Sequence, residues 1–216
     1  MQRLTEISIE RCRAGVFTRT EVAAWLRGSA DAEAGLVKRS LAAGEIIRLC
    51  RGLYCLGPRY RNRPVDSLVI AQRITGPSYV SLEAALAFHG WLPEAVESVT
   101  SVCDSRSRSF RTPLGQFSFT HIPQRRLFED VHRVERPEGQ AALIASPLKS
   151  LADYVYAHHL DWTGVEPLLE SLRIPPSNLA EITPSACQAL IANYRSRRVQ
   201  RFLAGLAGEV TPCPSN

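Results

Sequence analysis

Lysine is almost missing from this 216-residue chain: of its 26 basic residues only Lys38 and Lys149 are lysines. The other cations are arginines, whose planar guanidinium can fork onto a phosphate or onto the edge of a guanine. Apolar runs long enough to span a bilayer are absent, which excludes a membrane-spanning helix. The start, M-Q-R-L-T-E-I-S-I-E-R, has neither the apolar core nor the small-residue cleavage site of an export signal, so a cytoplasmic location is expected. The six cysteines, Cys12, Cys50, Cys55, Cys103, Cys187 and Cys213, form no C-x-x-C and no Cys/His pair at zinc-finger spacing, and read as reduced and structural. Phosphate-cradling P-loops and dinucleotide-binding glycine fingerprints are missing. A restriction-type nuclease centre needs a carboxylate two positions before its lysine, where Lys149 has Pro147. The histidines lack metal-ligand spacing apart from the adjacent His158 and His159, and no Ser or Cys sits in a nucleophile motif. These absences predict a protein that is not an enzyme, with no catalytic residues, no metal and no cofactor.

What is present is a globular composition, 45% hydrophobic and 22% charged, with enough chain for two small domains. The charge is uneven. Residues 1–75 hold 13 Lys and Arg against 7 Asp and Glu, while the rest of the chain is close to neutral. A local basic excess suits a polyanionic partner, because each neutralised phosphate releases condensed counterions.

The stretch 46–56, I-I-R-L-C-R-G-L-Y-C-L, reads as a β-hairpin turning at Arg51-Gly52, with Cys50 opposite Leu53 and Leu49 opposite Tyr54. Arg48 and Arg51 stand out from it, and Arg59, Arg61 and Arg63 follow directly. Three helices precede it. The first covers 2–13, with Gly15 as its stop; the second opens on the capping box Thr18-Arg19-Thr20-Glu21 and stops at Gly28. The third is capped by Ser29 or Asp31 and runs to about residue 43, with Ala34, Val37 and Leu41 toward the core. Its far side carries Ala32, Gly35 and Arg39 with Lys38 beside them, small residues and cations of the kind a helix needs to enter a major groove. Helix, helix, tight turn, helix and basic hairpin is the order of a DNA-binding winged helix-turn-helix.

A boundary is expected after R-Y-R-N-R-P, giving a winged-helix domain over 1–63, an α+β domain over 64–208 and a disordered tail over 209–216. Helices are expected at 65–75 and 81–90, the latter capped by Ser81, with His89 at its last turn serving the helix dipole or a local hydrogen bond. From Glu97 the period changes to two: V-E-S-V-T-S-V-C, a hairpin around 113–115 and 131–134 predict a small antiparallel sheet. Ser146-Pro147 opens a helix ending near His158, another is expected at 165–172, and Thr183-Pro184 opens one long helix through Leu203.

Taken with Y-V-S-L-E-A-A-L-A-F-H-G-W-L-P-E and I-A-S-P-L-K-S-L-A-D-Y-V-Y, the hairpin resembles the AbiEi family of antitoxins from bacterial type IV toxin-antitoxin systems, over about residues 15–157. The resemblance implies a winged helix that binds inverted repeats in its own promoter and represses it. Arg19, Lys38, Arg39, Arg48, Arg51, Arg59, Arg61 and Arg63 match its DNA-binding part. It implies a second domain that neutralises a nucleotidyltransferase-like toxin without a stable complex, and two copies on double-stranded DNA. Leu148 departs from the pattern, standing where an acidic residue is expected. The competing readings are an interaction module that docks directly onto a toxin, and a solitary transcription regulator.

Overall fold

The computed structural model describes residues 1–12, 14–94 and 96–210. The chain is mixed α and β, with two separate sheets. In order come α1 (Arg3–Arg11), β1 (Val16–Thr18), α2 (Arg19–Leu26), α3 (Ala30–Ala42), β2 (Ile46–Cys50), β3 (Leu53–Leu56), α4 (Ser67–Ile74), β4 (Ser78–Val80) and α5 (Leu82–Phe88). There follow β5 (Ser98–Cys103), β6 (Arg108–Thr112), β7 (Gly115–His121), β8 (Val131–Arg136), β9 (Gln140–Ala145), α6 (Pro147–Ala157), α7 (Glu166–Glu170), α8 (Pro176–Leu179), α9 (Pro184–Asn193) and α10 (Arg197–Glu209). Of the tail predicted over 209–216, Glu209 belongs to α10 and residues 211–216 lie outside the described residues.

The first sheet has the order β1-β3-β2, all antiparallel. Arg51 and Gly52 make its turn, Gly52 at φ 80°, a conformation that glycine adopts without steric cost. Cys50 faces Leu53 as expected, but Tyr54 faces Arg48 and not Leu49. The register shifts at Leu49, a β-bulge that lets Leu49 point into the core while Arg48 stays in solvent. The central strand L-Y-C-L is buried at every position because both its faces are covered. Tyr54 and Leu56 pack with Leu4, Phe17, Val22 and Val37 under the helices, whereas Leu53 and Cys55 turn the other way. The buried side of α3 is Val37 and Ser40, with Leu41 half-buried; Ala34, expected inside, is exposed.

Close approach fixes this unit at one glycine. Gly57 leaves β3 against the start of β2, its amide bonded to the Glu45 oxygen at 2.8 Å. A Cβ there would collide with the Gly44 carbonyl oxygen and lie 3.1 Å from that of Glu45. Both obstacles are backbone, so Gly57→Ala is expected to destabilise the protein by about 2–3 kcal/mol in urea denaturation. A loss below about 1 kcal/mol would show that the crossing is looser than drawn.

The second sheet corrects the expected small antiparallel one. It has six strands in the order β6-β7-β5-β4-β9-β8, with β5–β7 and β4–β9 parallel and the remaining pairs antiparallel. The β6–β7 hairpin folds outward and seats β7 beside β5 in parallel, so strands adjacent in sequence are not all adjacent in the sheet. Two strands lacked a legible signal: β4 is only three residues long, and β9, Q-A-A-L-I-A, has the small residues of a helix. Side chains alternate across the sheet. Tyr79, Val102 and Ala145 face α5, α6, α9 and α10, while Val80, Cys103 and Ile144 face α4 and the first sheet. Leu49, Leu53 and Cys55 therefore share one core with Ile70, Phe117 and Phe119.

A polar network is buried on the helical side. Asp153 of α6 accepts from Tyr79 (2.9 Å) and Ser81 (2.7 Å) on one oxygen and from Tyr194 (2.6 Å) on the other. One turn earlier Lys149 donates to the Gln124 side-chain oxygen (2.7 Å) and the Tyr194 hydroxyl (3.2 Å), its ammonium over both tyrosine rings. Both Lys149 and Asp153 are 0% exposed. Burial, reinforced by the Asp153 charge, pushes the Tyr79 and Tyr194 hydroxyls well above their ordinary range, so both stay protonated donors. Burial pulls the Lys149 ammonium down, against the opposing pull of Asp153. This network explains two departures from expectation. Ser81 sits at the N-cap of α5 but makes no capping bond, because its hydroxyl goes to Asp153. The long helix through Leu203 is two helices, broken where Tyr194 turns inward and bridges Gln124.

Candidate nucleic-acid interface

Around Tyr54 an open groove runs between α3 and the hairpin. It has two adjoining compartments of about 320 and 650 Å³ that share Arg19, Arg48 and Tyr54. Among the described residues four cations line it, Arg19, Lys38, Arg48 and Arg51, and no carboxylate does. Among the described residues none of the four takes part in an ion pair.

Local structure holds each cation in place. Thr18 caps α2 by accepting from the Glu21 amide (3.2 Å), and the Glu21 carboxylate accepts from the Thr18 amide (2.6 Å), which sets Arg19 at the first helical position. The Arg19 amide donates to the Gly52 carbonyl at 2.8 Å, tying the start of α2 to the hairpin turn that carries Arg51. Arg48 stacks its guanidinium 5.9 Å from the centre of the Tyr54 ring, its cross-strand partner. Lys38 projects from the α3 face that also bears Ala34 and Leu41. Tyr54 is 2% exposed and forms the floor; the sequence marks it only as an apolar strand residue, and its pairing with Arg48 depends on the bulge at Leu49.

The other four arginines singled out in the sequence lie elsewhere. Arg39 is exposed on a neighbouring face of α3, with its guanidinium folded over Gly35, where a Cβ would stand 3.3 Å from it. Arg59 is exposed on a short 3-10 turn over Pro58–Tyr60. Arg61 and Arg63 line a separate cleft beside α1. His89 donates to the Ala145 carbonyl at 2.9 Å, a bond to the end of β9 and not the local one expected. Leu148 is 6% exposed in the core of the helical side.

Among the described residues no group of three or more His, Cys, Asp or Glu is gathered as a metal site, and no helix is long and apolar enough to cross a membrane. Comparison with known protein families gives no match, and no curated protein matches the chain.

Proposed function

We propose that this chain is a sequence-specific double-stranded-DNA-binding repressor of its own promoter, the antitoxin of a type IV toxin-antitoxin pair, as its resemblance to AbiEi proteins implies. In this reading the first three helices and the three-stranded sheet are a winged helix-turn-helix, α3 is the recognition helix and the β2–β3 hairpin is the wing. The observation that carries it is the groove with four arginine or lysine side chains and no carboxylate. A groove of one charge sign, floored by an aromatic ring, suits a phosphate backbone. Lys38 would reach the major groove while Arg19, Arg48 and Arg51 hold phosphates on either side. Inverted repeats in the promoter would seat two copies, and the remainder of the chain, with the six-stranded sheet, would act against a nucleotidyltransferase-like toxin.

The test is binding to the DNA upstream of the protein's own gene, against a scrambled duplex of equal length, across a salt series. The expected result is tight binding to the first duplex only, with log affinity falling steeply against log salt. Weak and equal binding to both duplexes would reject the regulator and turn the groove toward an acidic protein partner.

A further inference from the structure

Arg61 and Arg63 line a cleft of about 630 Å³ away from the basic groove, a volume in the range of small-ligand sites. Its walls come from α1, the end of β3, the connection into α4 and the turn between β8 and β9. The cleft is amphipathic. Ile9, on the exposed side of α1 at 43% exposure, gives it an apolar rim, and Val65 an apolar wall. Gly15, at φ 67°, also lines it, beside the Arg61 and Val65 side chains.

Its charges are unequally committed. Arg136 is held by Asp66 at 2.6 Å and stacks 5.5 Å from the Phe88 ring. The half-buried Arg61 has no carboxylate partner among the described residues; its Nη1 donates to the Cys55 sulfur at 3.7 Å. A thiol is a weak acceptor, and burial pushes the Cys55 thiol up to about 11, so it stays neutral and leaves the guanidinium charge uncompensated. On the same lining, the buried Gln140 side-chain oxygen has no hydrogen-bond partner among the described residues.

We propose that this cleft binds a small amphipathic organic anion, with its acid group on Arg61 and its apolar body against Ile9 and Val65. The site is independent of the DNA reading, since it shares no lining residue with the basic groove. A ligand there would touch both the first sheet, through Leu56, and the second, through Gln140, and so brace the two against each other.

Titration of the isotope-labelled full-length chain with 2-naphthyl phosphate, followed through backbone amide shifts, tests the site. The expected result is saturable binding of one ligand per chain with shifts at Gly15, Arg61 and Val65. The uncharged 2-naphthol should bind at least tenfold more weakly, and Arg61→Met should weaken the phosphate at least tenfold. Should Arg61→Met fail to fold, Ile9→Glu sets a negative charge at an exposed rim position and should give a comparable loss. Equal affinity for 2-naphthol, unchanged affinity in the variants, or no saturable shift at those three residues at millimolar ligand would each overturn the proposal.

Discussion

Asp153→Ala should lower the stability of this protein by about 3–5 kcal/mol, a large part of the ~5–15 kcal/mol that holds a typical domain folded. The size follows from what is stranded. Three buried hydroxyls, those of Tyr79, Ser81 and Tyr194, donate to this carboxylate, and the Lys149 ammonium faces the same enclosure. Alanine would leave the donors unpaired and the cation without its counter-charge, where neither can reach water. Lys149→Met should cost less, because Asp153 would keep its three hydroxyl donors and the methionine could pack against the two rings. Replacing both Lys149 and Asp153 by apolar residues should be less damaging than the sum of the single changes. Urea denaturation of the four proteins measures this cycle, and additive effects, or a loss below about 1 kcal/mol for Asp153→Ala, would show that the network is not coupled.

The second large effect concerns DNA. On the proposed DNA-binding reading, reversing two charges of the groove in Arg48→Glu/Arg51→Glu should weaken binding to the promoter duplex by roughly 100-fold or more near physiological salt. It should also reduce the slope of log affinity against log salt by about 2, since each lost phosphate contact removes about 0.9. Both side chains are exposed, so thermal stability should change little. Position within the groove adds a ranking on α3: Lys38→Ala should alter sequence preference more than Arg39→Ala, whose side chain is folded over Gly35. An unchanged salt slope in the double reversal would place the contact surface elsewhere on the molecule.

Local signals carried much of this fold. The Arg51-Gly52 hairpin, the Thr18–Glu21 capping box, the Ser29 and Ser146 caps and the Thr183-Pro184 helix start are all found, because each is settled within a few residues of chain. What stayed hidden depends on distant partners. The bulge at Leu49 is set by which face of β3 meets the second sheet, and a one-residue shift leaves no mark in composition. The break at Tyr194 has neither proline nor glycine to mark it; there the chain turns inward and the Tyr194 hydroxyl donates to Asp153, a partner 41 residues away. Of the eight basic residues singled out, Arg19, Lys38, Arg48 and Arg51 meet in one groove. Arg61 and Arg63 follow the hairpin in sequence but line a different cleft, because the chain passes over the short turn at Pro58–Tyr60 before reaching them.

The shared core of the two sheets sets the smallest piece of this protein that can be handled. A fragment ending at Arg63 would keep all four groove cations but strip the cover from Leu49, Leu53 and Cys55, laying bare an apolar sheet face. Such a face seeks a substitute, in another copy of the fragment or in whatever else is in the tube. Affinity and oligomeric state read from that fragment would describe the wound and not the protein, so the full chain is the unit to assay.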